Sequence, residues 1–239
     1  MMSRSSFAAY VLAGGHSKRM GQDKALLHLA GRTLIDHAVS KLADLTPDVY
    51  ILGSRAELAS FAPLVPDLHE SCGPLGGMEA ALTHTFADWA LMIPVDMPFL
   101  PEALLRTWIT AVLQQARSRL SFFIVDEVPQ PALCMAHREV LPFLSTAIRQ
   151  KRYKLAPVLE EAARALAHRE SLLLNQVLLR YEWHQEEAIR SFARLAGDSG
   201  EGKTDMSPNQ CAASHLWFEN LNTPEQFNEA QLHLSALNA

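Results

Sequence analysis

The chain has 239 residues, 49% of them hydrophobic, which is enough to bury a sizeable core. Its formal charge of −5 at pH 7 argues against a general nucleic-acid binder, which needs a basic surface for phosphate backbones, so any anion site must be basic locally. Cys72, Cys134 and Cys211 are too few and too far apart for a disulfide framework or a zinc knuckle, and they point to a reducing cytoplasm. Before Phe7 there are six mostly polar residues, and the apolar run that follows ends in glycines, which is not the layout of a signal peptide. Phe7 to Leu12 has the composition of a buried strand. Gly14 and Gly15 then let the backbone turn sharply and approach a ligand, and Lys18, Arg19 and Lys24 bring positive charge to the same place. A polyphosphate would suit such a turn, although a glycine pair followed by a basic loop is also common without one.

Leu34, Ile35, Ala38, Val39, Leu42 and Leu45 recur at helical spacing, and Val49 to Leu52 reads as a second strand. Leu75, Met78, Leu82 and Phe86 mark a helix that begins just after Gly73 and Pro74. Trp89 to Val95 is a third strand; Asp96, Pro98 and Pro101 interrupt the apolar stretch, so it is not a membrane span. A helix with Leu104, Leu105, Trp108, Val112 and Leu113 in one stripe follows, then strands over Leu120 to Val125 and Ala132 to Ala136. The alternation predicts a Rossmann-like α/β domain, a mostly parallel sheet flanked by helices, with ligands collecting at the carboxyl ends of the strands.

Three further segments carry possible chemistry. Asp96, set where a strand ends and proline fixes the exit, can point a carboxylate at Mg²⁺; an Asp there can equally be only a helix N-cap. In PDLHESCGPLGGM, residues 66 to 78, Gly73, Gly76 and Gly77 permit close approach to a base or ribose and Leu75 can pack on one, but a tight loop before a helix explains the same glycines. Arg149, Lys151, Arg152 and Lys154 form a basic run that attracts an anion or simply solvates a helix face. Near the end, Thr223 with Gln226 makes a capping box and Pro224 suits a first helical position, which leaves Asn220 and Asn222 as amides able to donate and accept. Residues 197 to 204, GDSGEGKT, spell a phosphate loop but follow a helical pattern rather than a strand, so 197–213 is read as a flexible linker.

Taken as whole strings, LAGG-x-S-x-R-M-G-x-D-K from Leu12, P-x-D-M-P-F around Asp96, the Asp67 to GPLGG loop and N-x-NTPE from Asn220 resemble the motifs of the molybdenum cofactor guanylyltransferases. The resemblance covers about residues 7 to 160 and 215 to 237; residues 165–213 read as an insertion unusual for that family within a single nucleotidyltransferase domain. It implies transfer of GMP from GTP to molybdopterin in a cytoplasmic enzyme, with no nucleic-acid or membrane partner and an apo-molybdoenzyme or its chaperone as a possible recipient. It further implies that the backbone of Leu12, Ala13, Gly14 and Gly15 meets the nucleotide, that Arg19, Lys24 and Asp96 act in catalysis, and that Asp96 binds Mg²⁺. On the same ground Asp67, Gly73, Pro74 and Leu75 belong to the nucleotide side, Arg152 to the phosphate of molybdopterin, and Asn220 and Asn222 to ligand contact. LAGG together with GPLGG favours guanine over cytosine. The sequence departs from the family at Gly76, where Ala is usual, and in the loop Leu52-Gly53-Ser54-Arg55, onto which no side-chain role carries over. Use of CTP, a sugar-phosphate acceptor, or a carrier without chemistry are the competing readings.

Overall fold

A computed structural model describes residues 6–13, 23–197 and 206–237. The strands among them are β1 (Phe7–Leu12), β2 (His28–Leu29), β3 (Arg32–Thr33), β4 (Val49–Leu52), β5 (Leu64–Val65), β6 (Trp89–Pro94), β7 (Leu120–Val125), β8 (Val128–His137) and β9 (Leu178–Trp183). The α-helices are α1 (Leu34–Ala43), α2 (Gly73–His84), α3 (Glu102–Leu113), α4 (Leu141–Arg149), α5 (Leu155–Glu170), α6 (Leu174–Val177), α7 (Ala188–Leu195), α8 (Pro208–Ala212) and α9 (Pro224–Gln231). None is long and apolar enough to cross a membrane.

The main sheet has the order β5-β4-β1-β6-β8-β7-β9. From β5 to β6 the strands are parallel, β8 runs antiparallel to both β6 and β7, and β9 lies parallel to β7. Strands of a sheet covered on both faces read as continuous apolar runs because each face must be buried. Along β1, Phe7, Ala9 and Val11 enter the core shared with α1, α3 and α7, while Ala8 and Tyr10 enter the core under α2, α4 and α5. The result is a helix–sheet–helix sandwich.

Chain order reverses at β1, which has β4 on one side and β6 on the other. Such a switch point opens a crevice beyond the carboxyl ends of the strands. Here Leu12 pairs with Pro94, and the Val95 N–H donates to the Leu12 carbonyl at 3.2 Å, so Ala13 and Asp96 leave the sheet side by side.

The predicted strands are all present, with β6 ending one residue earlier and β8 extending well beyond Ala132 to Ala136. The helical stripe of Leu75, Met78 and Leu82 does not continue to Phe86. Thr85 turns extended and accepts from the Ala87 N–H, so α2 stops at His84 and leaves Phe86 80% exposed. Within 165–213, β9 pairs along its whole length with β7, from Leu120 opposite Leu178 to Val125 opposite Trp183. Residues 198–204 of the GKT string lie outside the described residues. The later part of the expected linker is not loose chain: Ser207 and Gln210 form a capping box that starts α8, and the Gln210 carbonyl accepts the Trp217 indole N–H at 3.0 Å.

Candidate active site

Asp23 accepts from the Ala25 N–H at 3.0 Å and so caps the short 3-10 turn Lys24–Leu26, which fixes where Lys24 leaves the backbone. Its ammonium donates to Asp96 Oδ2 at 2.5 Å and to Asn222 Oδ1 at 2.7 Å. The Lys24 and Asp96 side chains are only 12% and 18% exposed, so their attraction is less screened than that of a surface pair. Asp96 sits two residues beyond β6, and its carbonyl accepts the Leu221 N–H at 2.9 Å, which docks the C-terminal segment on the strand end. Asn222 is set by the next helix. The Gln226 side chain accepts from the Asn222 and Thr223 N–H groups at 2.8 and 3.1 Å, while the Thr223 hydroxyl caps α9 through Gln226 N. Behind Asp96, Lys41 donates to the Pro98 carbonyl at 2.8 Å, and burial of its amine pulls its pKa down to about 7 against an opposing pull from Glu102.

The first residues of α2, Gly73–Gly77, lie beside the end of β1. Gly73 has φ +59°, a left-handed conformation that a Cβ would strain, and it opens α2 with Pro74 in the first turn and no side-chain cap. A Cβ on Gly77 would come within 3.0 Å of Leu12 Cδ2, so that glycine brings α2 against the end of β1. Asp67 lies beside Gly77, and partial desolvation holds its carboxyl above the usual range. Leu75 corrects one expectation: its side chain is fully buried in the core under α2 and cannot pack on a base, and with Gly76 and Gly77 buried as well, only Gly73 and Pro74 of this stretch are exposed.

Gly76 shows why this chain departs from the usual Ala. A Cβ there would stand 2.8 Å from the Cys72 Cβ, an atom with little room to yield. Gly76→Ala is therefore expected to destabilise the protein by about 1–2 kcal/mol, a cost of overpacking that outweighs the better helix propensity of Ala. Urea unfolding would measure it. The pair Cys72→Gly with Gly76→Ala should lose less than the sum of the two single changes, since the first removes the obstructing atom.

Of the residues singled out in the sequence, Lys24, Asp96 and Asn222 are in direct contact, and Leu12 and Ala13 adjoin them through the Leu12–Val95 hydrogen bond. Asn220 is half-buried two residues before Asn222. Gly14, Gly15, Lys18 and Arg19 lie outside the described residues. Arg152 stands apart from the cluster: in the α4–α5 connection it holds both carboxylate oxygens of Glu161 and donates to Gln150 at 2.9 Å. Arg55, to which sequence reading gave no role, joins the site. It donates to the Asp23 carboxylate and, at 2.5 Å, to the Ala13 carbonyl. The only sequence signal was an Arg at a strand exit and an acidic residue 32 positions away.

A family model described as "MobA-like NTP transferase domain" matches residues 9–169. The molybdenum cofactor guanylyltransferase of Vibrio cholerae is 35% identical over 155 residues, which are 63% of this chain and 75% of that one. A probable molybdenum cofactor guanylyltransferase of Bacillus cereus is 27% identical over 240 residues, covering 97% of this chain and 98% of its own length. Among solved structures, molybdopterin-guanine dinucleotide biosynthesis protein A from Archaeoglobus fulgidus superposes with a TM-score of 0.68 at 20% identity, covering 95% of this chain and 98% of that one. A nucleotidyl transferase from Methanothermobacter gives 0.60 at 16% identity over 98% of this chain and all of the other, so the likeness of fold extends beyond β8 to the C-terminal helices.

Proposed function

The chain belongs to the MobA-like NTP transferase domain family, and from that premise we infer that it transfers GMP from GTP to molybdopterin with release of pyrophosphate. The observation that carries the reading on this chain's own residues is the meeting of Lys24, Asp96 and Asn222 at the switch point of the sheet. A cation, a carboxylate and an amide at the mouth of such a crevice suit a triphosphate with its counter-ion.

In this reading GTP lies across the ends of β1 and β6, its base and ribose toward the exposed start of α2 at Gly73 and Pro74 and toward Asp67. Lys24 turns its ammonium onto the phosphates. The terminal phosphate oxygen of molybdopterin attacks the α-phosphorus in line; a new O–P bond forms, the bond to the β-phosphate oxygen breaks, and pyrophosphate departs. Little covalent work falls to the protein in phosphoryl-type transfer, which runs on positioning and charge stabilisation. Asp96 offers the single hard carboxylate oxygen set that Mg²⁺ uses alongside phosphate oxygens and water. Among the described residues no three His, Cys, Asp or Glu side chains converge, so the ion's remaining ligands would come from the nucleotide and water. When bound, Mg²⁺ would supply charge neutralisation on the phosphates. Arg152, which stands apart from this cluster on Glu161, is assigned the phosphate of molybdopterin, and Asn220 and Asn222 are assigned to ligand contact beside Lys24. Delivery to an apo-molybdoenzyme or its chaperone, and a cytoplasmic location, complete the reading.

Pyrophosphate release measured with molybdopterin and each of GTP, CTP, ATP and UTP tests it. Release with GTP alone, and only when molybdopterin is present, is the expected outcome. Preference for CTP would overturn the choice of base, and nucleotide binding without pyrophosphate would make the protein a carrier.

A further inference from the structure

We propose that Arg55 is a positioning residue for this centre, fastening Ala13 and Asp23 together and, through Asp23, holding Lys24 against Asp96 and Asn222. The proposal rests on the reading of Lys24 as a phosphate-binding group. Arg55 stands just after β4, next to β1 in the sheet, and its guanidinium reaches in two directions. One nitrogen donates to the carboxylate of Asp23 and another to the carbonyl of Ala13 at 2.5 Å. The Arg55 and Asp23 side chains are 18% and 22% exposed, which places the pair below the surface.

Each partner has a definite place in the site. Ala13 is the first residue past β1, buried to 3% exposure and beyond the reach of the sheet's own hydrogen bonds. Among the described residues Arg55 is the donor to its carbonyl, which spares a buried backbone group the cost of standing unpaired. Asp23 divides its carboxylate between two tasks, with Oδ1 accepting from Ala25 N and Oδ2 from Arg55. The first task forms the turn that carries Lys24, and the second ties that turn to the end of β1. A planar guanidinium can serve a carboxylate and a carbonyl at once with fixed geometry, whereas a lysine ammonium is a point donor on a flexible stem. Arg55 thus connects three chain segments, β4's exit, β1's end and the Lys24 turn, while touching neither Lys24 nor Asp96.

The test follows acylation of individual lysines by an N-hydroxysuccinimide ester, in the nucleotide-free full chain, by peptide mass spectrometry. In Arg55→Ala, Lys24 is expected to label at least severalfold faster than in the parent, because its ammonium is no longer held on Asp96 and Asn222. Lys41, bound to the Pro98 carbonyl and without a part in the Arg55 hydrogen bonds, should label at an unchanged rate. Arg55→Lys should lie between. If Arg55→Ala does not fold, Asp23→Asn, which keeps the Oδ1 cap on Ala25 but loses the ion pair, should show the same selective gain at Lys24. Unchanged labelling of Lys24, or an equal rise at Lys24 and Lys41, overturns the proposal. In turnover, Arg55→Ala should lower kcat at least tenfold, since small displacements of a charge-stabilising group are felt mainly in the transition state. Absence of GMP transfer by the parent protein would instead remove the assignment of function and leave the labelling result to judge Arg55.

Discussion

Lys24→Ala is expected to lower GMP transfer at least about a hundredfold while the fold persists, and Asp96→Ala to do the same. Removing the Lys24 ammonium takes away a preorganised positive charge from developing negative charge, and removing Asp96 takes away the carboxylate that would hold Mg²⁺ on the same phosphates; such a loss costs on the order of 3 kcal/mol in the transition state. Both side chains stand at the sheet's end and the Lys24 turn rather than among the apolar residues of the two cores, so the fold should persist, with some loss of stability from the unpaired charge that each change leaves. The 2.5 Å contact between them makes their effects interdependent. Each single change leaves a mostly buried charge without its partner, so the double variant should be little worse than either single one, as for residues that act as a unit. Steady-state rates with GTP and molybdopterin, together with unfolding midpoints, check this directly. Near-normal turnover in either single variant would remove that residue from the mechanism.

Trp183→Ala is expected to be among the most destabilising single changes in the chain, at about 3–5 kcal/mol, or a fall of roughly 10 °C in midpoint for a protein of this size. Trp183 is 1% exposed at the end of β9, with ring centres 5.2 Å from Phe218, 5.6 Å from Trp217 and 6.1 Å from Phe123. The ring set joins β7, β9 and the C-terminal segment that carries Asn222. Trp183→Phe should cost much less. Among the described residues the buried indole N–H of Trp183 has no hydrogen-bond partner, so the smaller ring gives up volume but also removes an unsatisfied donor. A Phe variant as unstable as the Ala variant would show that the indole's shape, rather than buried area, secures β9.

Legibility in the sequence followed burial. β1, β6 and β7 are interior strands, paired on both sides, that read as nearly unbroken apolar runs, and apolar periodicity found them. β9 escaped because it is an edge strand whose inner residues Leu179 to Glu182 alternate between half-buried and exposed, so Arg180 and Glu182 hide the pattern. Phe86 misled in the opposite way, keeping helical spacing after the backbone had already left the helix at Thr85. Leu75 stands in a loop-like string and yet belongs to the core, because Pro74 and Gly73 start α2 before it. At the site, residue types and family strings named Lys24, Asp96 and Asn222, but their contact across 72 and 198 positions is a property of the fold. Arg55 had no such string to mark it. Its meaning lies in two acceptors that only the pairing of β1 with β4 brings within reach.

The docking of Leu221 and Asn222 on the end of β6 also bears on when the centre comes into being. Synthesis proceeds from the N-terminus, and 198 residues separate Lys24 from the amide that completes its hydrogen bonds. A nascent chain can pair β1 with β6 and bring Lys24 to Asp96 long before the ribosome has released the segment that supplies Asn222. Until then the cleft lacks one wall. Interrupted translation products that end before Leu221 would accordingly carry the sheet and the charge pair but an unfinished substrate site, which confines the completed arrangement to chains that extend past Asn222.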